Sequence, residues 1–229
     1  MKVCILTTRT KHHTYFINRI AEEHEVSVVY ETRKLHKDYP TGPFFVDEEC
    51  EFEELFFSKK FGSVASSLNK TKIKTNFVYD VNSHSNLLED ADIAISFGTG
   101  LLKPHLFNTP KMGTINVHRG IASKYRGLDS DLWAIYNKDI DNIGVTLHYV
   151  DEKLDTGNIL RSESLYVMQD MEIYHMKFWT TIMATDMMLH TLRNLYNIDA
   201  KQQKKIGKYY SAMPLDKKFE CVQIFNSIK

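Results

Sequence analysis

The sequence predicts an α/β fold with a mostly parallel sheet and a long helix toward its C-terminal end. Three observations lead there. Residues 3–6, "VCIL", form a continuous apolar run, and it is followed by helix-spaced Phe16, Ile17, Ile20 and Ala21 and then by a second strand-like run, "EVSVVYE". A continuous run, as opposed to an alternating one, marks a strand covered on both faces, which is the condition of strands in parallel sheets. Further strand-like runs recur along the chain, and residues 171–196 read as one long helix.

Taken in order, residues 31–43 hold Pro40, Gly42 and Pro43 and read as a loop, whereas "VDEECEFEELFFSKKFG" places acids first, cations last and Gly62 just beyond. That charge order complements a helix dipole and the glycine ends the helix. "DIAISFG" and "GTINVH" are strands separated by a segment long enough only for a helical turn or two around residues 101–107, so their ends lie close together. "DSDLWAIYN" reads as a helix with Asp129 or Ser130 as its cap, and "NIGVTLHYV" and "GNILRSESLYV" as strands flanking the loop "DEKLDTG". In the long helix, Ile173, Met176, Thr180, Met183 and Met187 follow a 3-4 rhythm, widened by Trp179, Ile182, Leu189 and Leu192. Such a stripe is core or subunit interface. Beyond residue 200 the lysines Lys201, Lys204, Lys205 and Lys208 suggest a solvated tail, residues 201–229, whose Tyr209, Tyr210, Phe219 and Phe225 are candidates for a dimer contact.

Composition bounds the partners. The 29 Lys plus Arg balance 29 Asp plus Glu, so no global field draws the chain to nucleic acid or anionic membranes. Cys4, Cys50 and Cys221 are scattered without metal spacing and are expected as buried, reduced thiols. "MKVCILTT" reads as a first strand and not as a leader, and no apolar run is long enough for membrane insertion, so a cytoplasmic protein is expected. His12 and His13 are adjacent and His36 is distant, so no pair has helical metal-ligand spacing and no metal is expected.

The chemistry gathers in "INVHRGIASKYRG", residues 115–127. Ligands of parallel α/β sheets settle at the carboxyl ends of strands, where this stretch lies. Residues two apart on a strand share a face, so the Asn116 amide and the His118 imidazole can converge on one oxygen, as an oxyanion hole for acyl transfer requires. The same spacing also describes a capped strand end with a satisfied histidine. Asp155, in the loop between two strands, is placed to reach that region as a base or as a partner of His118, although Asp-Thr-Gly alone is a turn.

Together these segments resemble the folate-dependent formyltransferases, most closely the short sugar-nucleotide N-formyltransferases. "INVHRGIASKYRG" stands where that family has Asn-Val-His-x-Ser-Leu-Leu-Pro-x-Tyr-Arg-Gly, "DLWAIYNKD" resembles its Trp-Ala-Leu-x-x-Gly-Asp helix, and "IGVTLHYVDEKLDTGNIL" its Gly-Val-Thr…Asp-Thr-Gly-Asp-Ile segment. The likeness runs over residues 96–160 and implies a Rossmann-like catalytic domain over residues 1–200. It implies Asn116, His118 and Asp155 as catalytic residues, and 10-formyltetrahydrofolate as co-substrate. The donor would lie against Phe97, Gly98, Gly100, Leu101, Leu102, Thr156 and Gly157, with Gly98 and Gly100 admitting close backbone approach; an ordinary turn is the other reading of these glycines. Gly120, Ile121, Ala122 and Ser123 depart from the family's Ser-Leu-Leu-Pro, which leaves contacts there open.

For the acceptor, Thr8, Arg9, Lys11 and His12 lead into a helix and can hold a pyrophosphate, with Tyr125 and Arg126 as further substrate contacts. Solvated cations and a loop-bracing Arg126 are the alternatives. The resemblance to the short sugar N-formyltransferases implies a nucleotide-linked 4-amino-4,6-dideoxy sugar of surface-polysaccharide (O-antigen, lipopolysaccharide) assembly, dTDP- or GDP-linked. A glycinamide ribonucleotide-type enzyme and a non-catalytic folate- or nucleotide-binding protein are the alternatives. Transfer RNA is disfavoured by the neutral charge and by the short stretch after the long helix, and a dinucleotide oxidoreductase by the lack of Gly-x-Gly-x-x-Gly after the first strand.

Overall fold

In the computed structural model, which describes residues 1–33, 37–42, 44–60 and 73–229, seven strands form one sheet in the order β3-β2-β1-β4-β5-β7-β8. The strands are β1 (Lys2–Thr7), β2 (Glu25–Glu31), β3 (Ile73–Val78), β4 (Ile93–Phe97), β5 (Thr114–Arg119), β7 (Gly144–Tyr149) and β8 (Ile159–Ser164). β1 to β5 pair in parallel, and β7 then runs antiparallel to β5, and β8 to β7. The mostly parallel sheet is the one predicted.

Alternation along the strands sorts the core onto two faces. Val3, Ile5, Val28, Ile95, Ile115 and Val117 pack under α1 (Lys11–Ala21) and α5 (Met176–Arg193), together with Ala184, Met187 and Met188. Cys4, Leu6, Val29 and Ala94 face the other way, toward Leu88, Leu102 and α3 (Pro104–Phe107). α1 begins where Thr10, in extended conformation, accepts the His13 amide, a side-chain cap that satisfies one of the first free N–H groups. α2 (Val46–Lys60) carries Asp47, Glu48 and Glu49 in its first turn as expected; the side chains of Lys59 and Lys60, and the expected Gly62, lie outside what is described, as do His36 and Pro43.

Several expectations change. The long helix is shorter than residues 171–196: one tight turn, Ile173–His175, precedes α5 and another, Leu195–Asn197, follows it. α4 (Ser130–Tyr136) has Asp129 before it at φ 51°, but the Asp129 carboxylate does not cap; it accepts the Met213 N–H at 2.8 Å and pairs with Lys218 at 3.1 Å. Cys50 is exposed, whereas burial pushes the Cys4 thiol up to about 11 and the Cys221 thiol up to about 12. The expected solvated tail is structured. β9 (Lys208–Tyr210) pairs with β6 (Tyr125–Gly127), and α6 (Leu215–Ile228) buries Cys221 and Phe225 in the cluster that holds Ala134, Ile135 and Met176. No helix among the described residues is long and apolar enough to cross a membrane.

Candidate active site

The carboxyl ends of β4 and β5 open into a cleft of about 560 Å³. At its centre three predicted residues meet. Asn116 Nδ2 donates to Asp155 Oδ1 at 3.2 Å, and His118 Nδ1 lies 3.5 Å from Asp155 Oδ2. A fourth residue, which motif spacing alone does not mark, joins them: His148 Nε2 is 3.4 Å from Asp155 Oδ1 and 3.2 Å from Asn116 Nδ2. The signal for His148 is register, because β5 and β7 place Asn116 opposite His148 and His118 opposite Thr146, so all four side chains share one face.

Hydrogen bonding assigns the ring nitrogens. A main-chain carbonyl only accepts, so His118 Nε2 donates to Tyr125 O at 2.8 Å and His148 Nδ1 to Tyr149 O at 2.8 Å. His118 Nδ1 and His148 Nε2 are thereby left facing Asp155. The pair expected to point at an open oxygen position therefore points at a carboxylate. Burial pushes the Asp155 carboxyl up, but the His118 and His148 imidazoles and the Gly127 N–H, 2.8 Å from Oδ2, outweigh it and hold the group at about 2. Gly127 makes that bond possible: at φ 96° it packs so closely that a Cβ would lie 2.1 Å from Tyr210 O.

One wall of the cleft belongs to the face of the sheet on which Asn116 and His118 sit. It is formed by Gly98, Gly100, Leu101, Leu102, Val150 and Leu154. Its backbone is held from behind. Glu31 Oε2 accepts the Gly100 N–H at 2.7 Å, Asn82 Nδ2 donates to Leu101 O at 3.0 Å and Asn82 Oδ1 accepts the Lys103 N–H at 2.7 Å. Arg33 ties Glu31 to Asp80, and Asp80 in turn holds Asn82. The expected reason for the glycines changes accordingly: the Cβ position of Gly98 is taken by His13 and that of Gly100 by Arg33, so protein and not ligand fills the space they leave.

The opposite wall carries Phe97, His12, His13, Glu49, Arg119, Asp131 and Lys177. Phe97 thus faces away from Leu102, with the Arg119 guanidinium 5.2 Å from its ring. His12 Nδ1 sits 3.2 Å from Glu53; burial, then Arg119 and Lys177, keep His12 well below the usual histidine range, which disfavours the charge that would draw an anion.

Other expected contacts lie off the cleft. Thr8 bonds His13, Arg9 is exposed and Lys11 pairs with Glu54. Tyr125 is buried, stacks on Tyr210 and donates to Asp139; burial and that bond push its hydroxyl up to about 12. Arg126 braces the loop as its alternative reading had it, through main-chain oxygens of Gly207 (2.7 Å) and Leu154 (3.0 Å) and not through an ion pair. Thr156 caps a turn on Asp151, and the Gln203 side chain, from the expected solvated tail, donates to Asp155 O and Gly157 O. No group of three or more His, Cys, Asp or Glu among the described residues is placed to hold a metal ion.

A buried carboxylate thus gathers an amide and two imidazoles at the strand ends. Residues 57–186 match the profile of the Formyl transferase family, more than half of the chain, and the chain belongs to that family. Among curated proteins it is 28% identical over 144 residues to a methionyl-tRNA formyltransferase of Caldicellulosiruptor saccharolyticus, covering 60% of this chain and 45% of that one. It is 30% identical over 116 residues to that of Staphylococcus epidermidis, covering 51% and 37%. The chain thus spans less than half the length of these curated relatives. The fold is shared with a sugar N-formyltransferase from a Shewanella species (TM-score 0.64, 15% identity, 98% of this chain and 87% of that). It is shared too with a 4-N formyltransferase from Francisella tularensis (TM-score 0.62, 20% identity, 92% and 76%). A third is the formyltransferase PseJ from Anoxybacillus kamchatkensis (TM-score 0.58, 17% identity, 96% and 89%).

Proposed function

We propose that the chain moves the formyl group of 10-formyltetrahydrofolate to the amine of a nucleotide-linked 4-amino-4,6-dideoxy sugar, a step of surface-polysaccharide assembly. The observation that carries the reading is the meeting of Asn116, His118 and His148 on Asp155 within 3.5 Å at the centre of the cleft. Asn116 has two N–H groups, held by Asp155 and His148, and a substrate carbonyl oxygen can take either place. As the acceptor amine attacks, charge develops on that oxygen, and an amide donor there is worth about 3–4 kcal/mol. His118, held by its Nε2 bond to Tyr125 O, keeps Nδ1 turned toward the same centre, 3.5 Å from Asp155. Ionised Asp155 takes the proton that the attacking nitrogen sheds, directly or through water, and returns it to the folate nitrogen as the bond from that nitrogen to the formyl carbon breaks. The wall from Gly98 to Leu102 would hold the donor through its backbone.

Fold neighbours support the acceptor. PseJ was crystallised with UDP-4,6-dideoxy-4-formamido-L-AltNAc and tetrahydrofolate, and the N-formyltransferase of Helicobacter canadensis with folinic acid and dTDP-3-aminofucose. Methionyl-tRNA is the second reading, favoured by the curated sequence relatives. The test is release of tetrahydrofolate from the 10-formyl donor with dTDP-, GDP- or UDP-linked amino sugars, glycinamide ribonucleotide or initiator methionyl-tRNA. Turnover with an amino sugar is expected. Turnover with methionyl-tRNA alone would transfer the reading to the second, and none with any amine despite folate binding would leave a binding protein. Exposed Tyr209 and Phe219 extend the proposal to a dimer, which a monomeric mass in light scattering would remove.

A further inference from the structure

Among the described residues four Lys and Arg cations line the cleft, and two of them are neutralised: Lys177 pairs with Glu49 and Lys218 with Asp129. Lys153 stands at the exposed rim. Arg119 differs from all three. Of its hydrogen-bonding groups, one donates to Thr181 Oγ1 at 3.0 Å; among the described residues the buried Nε has no partner and no carboxylate lies within ion-pair distance. The Phe97 ring beneath the guanidinium and the Thr181 hydroxyl beside it fix the plane of the fork. A half-buried guanidinium whose buried Nε has no partner is costly unless something pairs with it, and its forked geometry matches a carboxylate or phosphate.

Its position says what that partner belongs to. Arg119 directly follows His118 on β5, so alternation turns it to the opposite face of the sheet from Asn116 and His118. The cleft passes over the strand ends and joins the two faces, with the Gly98–Leu102 backbone on one side and Arg119 on the other. We propose that Arg119 is the acceptor-recognition residue: its guanidinium takes an oxyanion of the acceptor, a carboxylate or a phosphate, while the acceptor amine reaches over the strand ends to Asp155. The proposal rests on the formyl-transfer reading for the word acceptor, but not for the anion site itself. Asp131, Glu53 and Glu49 act on the guanidinium electrostatically, but from beyond ion-pair distance. Glu49 is held by Lys177 and Glu53 faces His12, while burial disfavours the charge of Glu49, Glu53 and Asp131 alike.

The test titrates the full chain with inorganic pyrophosphate, dTDP and UDP as the phosphate arm and with succinate as the carboxylate arm. Binding is read by calorimetry and by the Arg119 Nε–H resonance in nitrogen-15 spectra. One arm is expected to saturate and to shift that resonance, with affinity falling about ten- to a hundredfold in R119Q and less in R119K, which keeps charge but not the fork. The affinity for 5-formyltetrahydrofolate should stay unchanged in both variants. An unmoved resonance at saturating anion in the wild type, or equal anion affinity in a folded R119Q, overturns the assignment. Failure of the wild type to bind 5-formyltetrahydrofolate would instead strike the formyl-transfer reading and leave the anion result standing.

Discussion

Asp155 sits at φ 54°, in the left-handed region that asparagine, aspartate and glycine tolerate better than other residues, with its carboxylate buried. Asparagine therefore fits the same backbone, and D155N is expected to fold while losing about a hundred- to ten-thousandfold in kcat. N116A should lose about a hundred- to a thousandfold, because it removes one donor to the developing oxyanion. Steady-state assay with circular dichroism of each variant checks both; near-normal turnover in D155N would remove Asp155 from the chemistry. The carboxyl also marks stability. Its value is depressed from 3.8 to about 2, so its stabilising contribution is complete above the ordinary value and is lost as pH falls through the depressed one. Between those values the denaturant midpoint of the wild type should fall more steeply than that of D155N. At this scale the shared face of Asn116 and His118 is legible in the sequence, since a two-residue spacing on a strand is local, whereas Asp155 stands out there only through the family resemblance, its Asp-Thr-Gly being a turn by itself. His148 and Arg119 are not legible, because their roles depend on strand pairing and on which face of the sheet meets which helix.

Elements set the walls. The backbone from Gly100 to Lys103 takes its shape from Glu31, at the end of β2, and from Asn82 in the turn after β3. E31A and N82A should raise KM for the folate donor severalfold with kcat little changed, and should speed amide exchange at Gly100 and Lys103; a fall in kcat alone would contradict this. T10A removes the side-chain cap of α1 and is expected to cost about 1 kcal/mol in thermal or urea unfolding. β1, α1, β4 and β5 are readable because their apolar periods are strong. β3 is not: an edge strand with one neighbour, it has Lys74, Thr75 and Asn76 between its buried ends, so burial leaves little pattern in the sequence.

Across the whole molecule, the segment after residue 200 is bound to the site rather than appended to it. β9 pairs with β6, whose Gly127 holds Asp155, and Gln203 holds the main chain of Asp155 and Gly157. A lysine-rich stretch reads as solvated because its lysines are indeed largely exposed; the contacts are made by main chain and by Gln203, which periodicity cannot register. α6 closes the core beside α4, with Phe225 wholly buried, and F225A should cost about 3–5 kcal/mol by urea unfolding. A cost below about 1 kcal/mol would mean that the helix packs only loosely.

The central claim is that one amide, one imidazole and one carboxylate enclose a single reacting carbonyl at the strand ends. A crystal structure with 5-formyltetrahydrofolate tests it most directly. The formyl oxygen is predicted about 3 Å from Asn116 Nδ2, with the formyl carbon beside Asp155 and the pterin along the Gly98–Leu102 wall. A folate seated on the Arg119 side, or one whose formyl group points away from Asn116, would contradict the account.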